Sequence, residues 1–160
     1  MNLKSILRGS IFLAAALVIQ YIRMPQIFTG TLINAILFLT LVFAGLPSAA
    51  IVGLMTPLLA FAVGILPAPL APIIPVVMLA NICLVLVVRA FKNKNQYIAA
   101  VVASIIKFLV FFILLRYVFS LFGIVLPPAV FAVFGLPQLY TALSGTLIAA
   151  FLAGRLHGLE

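Results

Sequence analysis

Apolar residues run through this chain in blocks too long for an ordinary soluble core, and most polar positions fall between the blocks. A helix needs about 20 residues to cross a bilayer. The blocks predict about six such spans, near 5–22, 27–44, 48–66, 73–91, 97–118 and 134–156. Long uninterrupted runs select helices over an outer-membrane barrel, whose strands alternate and are short. The expected fold class is therefore all-α, a polytopic membrane protein with residues 1–160 forming a single transmembrane domain. The breaks carry their own marks: Arg23-Met24-Pro25-Gln26, Gly45-Leu46-Pro47, the proline-rich 67–75, Lys92-Asn93-Lys94-Asn95, and a looser connection at 119–133 containing Pro127 and Pro128. Pro67, Pro69, Pro72 and Pro75 should keep the 67–75 connection stiff and extended, because proline fixes φ and removes a donor.

Charge sets the orientation. Only 6% of residues are charged, against about 25% in a soluble domain, so lipid is the solvent for most of the surface. A net charge of +8 would point a soluble protein toward nucleic acid. Here the positives stand at the ends of apolar runs, and no nucleic-acid partner is expected. With the N-terminus inside, Lys4, Arg8, Arg89, Lys92, Lys94 and Arg155 face the cytoplasm, against Arg23 and Arg116 outside. That positive-inside bias predicts cytoplasmic N- and C-termini in a multi-pass protein of the cell membrane. Lys4 and Arg8 ahead of an apolar run imitate a signal peptide, but no small-x-small cleavage pattern follows, so the run reads as a retained first helix. Cys83 has no cysteine to pair with inside the chain.

Against this background a few polar residues inside the spans stand out. Lys107 falls at the centre of the fifth span, where a lysine costs roughly 2.5–3.5 kcal/mol even on mild insertion scales. The sole acid of the chain is Glu160, at its C-terminal end. The counter-ion must come from elsewhere, or the amine must give up its proton. By helical rise, Asn34, Asn81, Gln138 and Thr141 lie with Lys107 in the outer half or near the midplane. Asparagine, glutamine and threonine at such depths also serve as plain interhelical glue, and that reading stands for each of the four. Ala99 and Ala103, with Ala100 and Ser104 beside them, put small residues on the face of Lys107 and direct it into the bundle.

Similar stripes occur elsewhere: Thr141, Gly145, Ala149 and Ala153 in the last span, and Gly53, Thr56, Ala60 and Gly64 in the third. They predict close packing faces. Pro57 and Pro137 free backbone groups within spans, which is tolerated where a cavity or protein covers them. Together these features predict a cavity between the third, fourth, fifth and sixth spans.

Several chemistries are missing from the sequence. It contains no Walker-type loop for nucleotide phosphates, no catalytic pairing for its one histidine, His157, and no metal-ligand cluster. No enzyme activity, cofactor or metal is expected. No Asp or Glu lies within a span, although ion-coupled transporters usually place carboxylates there. A solute moved by this chain would need energy from another subunit.

Two stretches carry a family resemblance. One runs from Gly53 to Pro57, through Gly64-Ile65-Leu66-Pro67 and Ala71-Pro72-Ile73-Ile74-Pro75, to Ala80-Asn81. The other is Gln138-Leu139-Tyr140-Thr141-Ala142-Leu143-Ser144-Gly145. With the span number and the missing coupling residues, they resemble the substrate-binding S components of energy-coupling factor (ECF) transporters. The resemblance implies a six-helix capture subunit that binds a small, vitamin-like micronutrient from outside. It further implies a transmembrane scaffold subunit, two cytoplasmic ATPase subunits and toppling in the membrane to release the solute. The family's binding region maps onto Asn81, Lys107, Gln138 and Thr141, with the 67–75 loop as lid. Its scaffold-docking motif, Ala-x-x-x-Ala in the first helix, is approximated by Ser10 and Ala14.

On this reading Lys107 pairs with an anionic or carbonyl group of the solute, and Asn81 and Gln138 orient it, with Thr141 and Asn34 nearby. Two other readings fit the same residues. The chain is similar in size and span number to the rod-shape protein MreD, a structural scaffold of cell-envelope machinery, where Lys107 would pair with a partner's carboxylate. An oligomeric anion channel would instead place Lys107 in a ring.

Overall fold

The computed structural model describes residues 2–91, 95–121, 123 and 128–157. Lys92, Lys94, Pro127 and Glu160, which entered the sequence reading, lie outside the described residues. The described chain is helical with no strand among those residues. The principal helices are α1 (Leu3–Tyr21), α2 (Gln26–Ala44), α3 (Leu46–Ala62), α4 (Ile74–Ala90), α5 (Gln96–Ile113) and α6 (Leu136–His157).

Local chemistry sets the boundaries. The Asn2 side chain caps α1 by accepting from the Ser5 N–H at 2.8 Å. Asn95 caps α5 by accepting from Tyr97 N–H at 2.8 Å and Ile98 N–H at 3.4 Å. Each cap satisfies donors that the helix itself leaves orphaned. Gly45, at φ 84° and ψ 172°, turns α2 directly into α3, a backbone state open to a residue without Cβ. Pro47 follows within the first turn of α3, where its missing N–H costs nothing.

Successive helices run in opposite directions. At the end of the bundle where the chain starts, Arg8 Nη1 donates to the Phe43 carbonyl at 3.0 Å. Ser5 and Ser48 share a hydroxyl hydrogen bond of 3.0 Å there, and the Ser5 hydroxyl also donates to the Ala44 carbonyl. The opposite end gathers the end of α1, the start of α2, the end of α3 and the starts of α4 and α6. Helix α2 packs against α1, α3, α4 and α6. Its Leu37, Phe38 and Leu41 lie in a core with Val52, Leu84, Val85 and Ala103. A second apolar cluster, built on Ile73, Val76, Phe111, Leu115 and Phe134, closes the side of the opposite end. Large apolar side chains such as Ile11, Val18, Leu86, Phe112 and Phe151 cover the outside, as expected where lipid is the solvent.

Among the described residues five stretches are long and apolar enough to cross a membrane: Leu3–Tyr21, Gln26–Ala44, Ala68–Ala90, Gln96–Leu121 and Val130–Leu156. The expected third span is shorter than predicted. Helix α3 has 17 residues, about 26 Å at the helical rise, against a hydrocarbon core of about 30 Å. It stops at Ala62, where Ile65 and Leu66 N–H groups turn back to the Ala60 carbonyl and Gly64 takes φ 71°. The 67–75 connection also departs from expectation. Pro67 is extended, but Ala68–Ile73 then winds into a 3-10 helix, since proline's φ suits that helix as well as polyproline. Helix α5 runs on through a π-helical turn, Leu114–Val118, and into the start of the connection expected to be loose, as far as Leu121. A short helix, Pro128–Phe134, precedes α6. Pro137 therefore sits in the first turn of α6, just after the break at Gly135 that divides the Val130–Leu156 stretch into two helices.

The small-residue stripes are packing faces, as predicted. Thr141, Ala149 and Ala153 of α6 are buried, and so are Ala99, Ala100, Ala103 and Ser104 of α5. Thr146 and Ser104 share a 3.0 Å hydroxyl hydrogen bond between these helices. Gly53, Thr56 and Ala60 are buried along α3, but Gly64 lies beyond its end. At Gly145 a Cβ would strike the Thr31 carbonyl and lie 2.9 Å from Asn34 Cβ and 3.0 Å from Ala35 N. Backbone atoms cannot retreat, so α2 and α6 meet here only because residue 145 is glycine. At Gly154 a Cβ would meet only the mobile tip of Gln96, at 2.6 Å. Gly145→Ala should therefore lower stability by about 1–3 kcal/mol, while Gly154→Ala should cost well under half as much. Chemical or thermal unfolding of the two purified variants in the same detergent measures the difference.

Candidate functional site

Lys107 projects from the middle of α5 into the bundle and is only 3% exposed. Its Nζ donates to Asn34 Oδ1 of α2 at 2.6 Å and to Asn81 Oδ1 of α4 at 2.7 Å. Both asparagines are 1% exposed, and each is fixed by a further bond. Asn34 Nδ2 donates to the Gly30 carbonyl one turn back, at 2.8 Å. Asn81 Nδ2 donates to the Gly53 carbonyl of α3 at 2.9 Å.

The second of these bonds traces to a single residue. In a regular helix the Gly53 carbonyl would accept from the N–H of residue 57, but Pro57 has none. Asn81 supplies the missing donor, and its amide is thereby turned so that its oxygen faces Lys107. Gly53 also keeps the α3–α4 approach uncrowded, since a Cβ there would lie 3.2 Å from Asn81 Cβ. Next to the proline, Thr56 bonds its hydroxyl back to the Val52 carbonyl at 2.5 Å.

The ammonium has three donors, and two are used. The third has no acceptor among the described residues. Hydrogen bonds to a charged group contribute about 1.5–3 kcal/mol each, so two of them are comparable with the roughly 2.5–3.5 kcal/mol cost of a lysine at the bilayer centre. They make the position tolerable, yet two neutral amides leave the charge itself uncompensated.

A cavity of about 170 Å³ adjoins Lys107 and extends to the opposite end of the bundle. Asn34, Asn81, Lys107 and Gln138 contribute polar wall, and Ile33, Ala60, Val77 and Phe134 apolar wall. Thr56 and Pro57 line it from α3, and Ile65 and Leu66 from the turn that follows. Exposed Gln26 and half-buried Thr29 stand at the start of α2 on its rim. Gln138 is 6% exposed and its side-chain amide bonds no described residue.

Four of the five predicted site residues thus share one cavity, and three of them share one hydrogen-bond network. Thr141 does not line it. It is buried beside Gly30, and its hydroxyl donates to the Gln138 carbonyl at 3.3 Å. The cavity is also wider than the sequence implied. Its walls include α2 and the end of α1, through Thr29, Gly30, Ile33 and Gln20, in addition to α3–α6. Gln20 and Gln26 flank the first connection, where polar residues are commonplace, so only their burial or position could single them out. Of the 67–75 loop expected as a lid, none of the residues lines the cavity. Ser10 and Ala14 lie together on an exposed face of α1, and Arg116, in the π-helical turn, is exposed and far along α5 from this network. Among the described residues no group of three His, Cys, Asp or Glu stands together.

Compared with known proteins, the chain matches no family model, no curated protein and no solved structure.

The network makes a stability prediction. Asn34→Leu or Asn81→Leu should each destabilise the protein by about 1–3 kcal/mol, because a buried donor of Lys107 loses its acceptor. Adding Lys107→Met to either variant should recover at least half of that loss. A double-mutant cycle by unfolding in detergent reads the coupling.

Proposed function

We propose that this chain is the solute-capture subunit of an importer of the energy-coupling factor type. It sits in the cell membrane with both termini cytoplasmic and takes a small solute from the extracellular side. The charge pattern supports that orientation, since it puts the open end of the cavity outside. A scaffold subunit and two ATPase subunits would supply the energy, because no span carries a carboxylate for ion coupling. Ser10 and Ala14, on the exposed face of α1, are the proposed contact with the scaffold.

The observation that carries the reading is the lysine at the cavity wall. Lys107 is buried, oriented by Asn34 and Asn81, left with a spare donor, and without an acid inside the spans to neutralise it. An anionic or carbonyl group of a solute completes it. In a low-dielectric site such a charge pair is far stronger than in water, and the amides have already oriented the cation, so little ordering is needed on binding. A purely structural scaffold has no use for a cavity with unpartnered amides, which favours capture over the scaffold reading.

Lys107→Ala should abolish solute binding and uptake, whereas Arg116→Ala, at an exposed cation outside the site, should leave both within twofold of the parent. Equal effects of the two substitutions in a transport assay with the native membrane would overturn the assignment. Asn81→Asp should also abolish capture, by giving Lys107 an internal counter-ion. In pull-downs the chain should bring down ATPase subunits.

A further inference from the structure

A second cavity, of about 280 Å³, lies at the end of the bundle where the chain starts and shares no lining residue with the first. It opens where α2 passes into α3, between the end of α4 and the start of α5. Half-buried Val42, Leu46 and Phe91 give it an apolar wall that a guest can touch, and buried Phe38 closes its floor. Gly45 faces open space, since a Cβ added there would meet no atom within 4 Å. Two polar side chains edge the hollow, exposed Arg89 and half-buried Gln96. At the same end Arg8 donates to the Phe43 carbonyl, and Arg155 lies 5.4 Å from the centre of the Phe151 ring. The Arg89 guanidinium and the Gln96 amide, in contrast, bond no described residue. Lys92 and Lys94 add charge to the same connection in the sequence, and no described residue is acidic.

We infer that this hollow is a binding site for an anionic phospholipid, independent of the solute-capture reading. Arg89 and Gln96 take the phosphate, and Val42, Leu46 and Phe91 receive the glycerol and the first methylenes of an acyl chain. Charge selects the occupant. A guanidinium holds phosphate by two parallel hydrogen bonds, and no described carboxylate competes for this one. Depth selects a lipid over a free anion. Val42 stands about 3 Å before the Ala44 end of α2 by helical rise, at the level where headgroups give way to hydrocarbon. A phosphate ion would use the polar edge and leave the apolar wall in water, which is unfavourable. Basic pockets between spans on the cytoplasmic side bind anionic headgroups, and the charge pattern puts this end there. The lipid would also tie α4 to α5, since Arg89 and Gln96 belong to those helices.

Native mass spectrometry of the purified full-length chain in detergent tests the site, with phosphatidylglycerol and phosphatidylcholine of identical acyl chains as probes. Phosphatidylglycerol should bind at least about fivefold more tightly, as one favourable basic contact predicts. Arg89→Gln should lower its affinity about tenfold, through loss of a charge-assisted hydrogen bond. Arg116→Gln, at an exposed cation far along α5, should change it less than about twofold. Val42→Trp fills the hollow with Arg89 intact and should also weaken binding severalfold. Arg89 is exposed, so its substitution tests the site whether or not Val42→Trp folds. Glycerophosphoglycerol, the headgroup without acyl chains, should not displace the lipid at equal concentration. Equal affinity for the two lipids, or equal losses from Arg89→Gln and Arg116→Gln, would overturn the site and leave diffuse charge attraction. Displacement by glycerophosphoglycerol would reveal an anion site and overturn the lipid assignment. An unchanged affinity in folded Val42→Trp would overturn the role of the hollow.

Discussion

The ammonium of Lys107, held by two amide oxygens inside an apolar bundle, is the interaction on which the rest of the structure turns. A cation at this depth is costly unless its donors are met. Meeting them requires acceptors from two other helices to arrive at the same point. Asn34 and Asn81 do so from α2 and α4, and each needs its own anchor to hold its amide the right way round. Helix positions, small residues and a proline all follow from that requirement.

The anchoring shows how backbone chemistry is converted into a polar site. Pro57 removes a donor from α3, the Gly53 carbonyl is left open, and Asn81 closes it from α4. The glycine also permits the close approach that brings the two into range. On the other side, Gly145 lets α6 lie against α2 at Asn34. A break in one helix and two missing side chains thus orient the two amides that receive the lysine. Elsewhere the bundle relies on ordinary apolar packing and on hydroxyl pairs such as Ser104 with Thr146.

The cavity is the complement of this arrangement. The amides use two donors and leave one, and they neutralise no charge. Gln20 and Gln138 are buried nearby without described partners. Natural interiors seldom leave such groups unmet, and the solute proposed above would meet the donor left on Lys107. Its opening toward the end away from the chain's start is consistent with capture from one side of the membrane.

The sequence by itself determined that the chain is helical and suited to lipid, because composition and run length admit little else. It also determined that Lys107 faces inward, since small residues at intervals of four mark a buried face. Depth arithmetic placed Asn34 and Asn81 at the right level, but level is one coordinate of three. Which helices meet at that level was decided by tertiary packing, and so was the distinction between Thr141, which supports the wall, and Gln20, which forms it. Gln20 carries no periodic or charge signal, and only the convergence of α1 with α2 and α3 buries it. The C-terminal end of α3 and the path of 67–75 were likewise beyond reach; for the latter, proline's φ is compatible with both an extended and a 3-10 path. Local rules specify faces and depths, while the meeting of distant residues depends on how those faces pack.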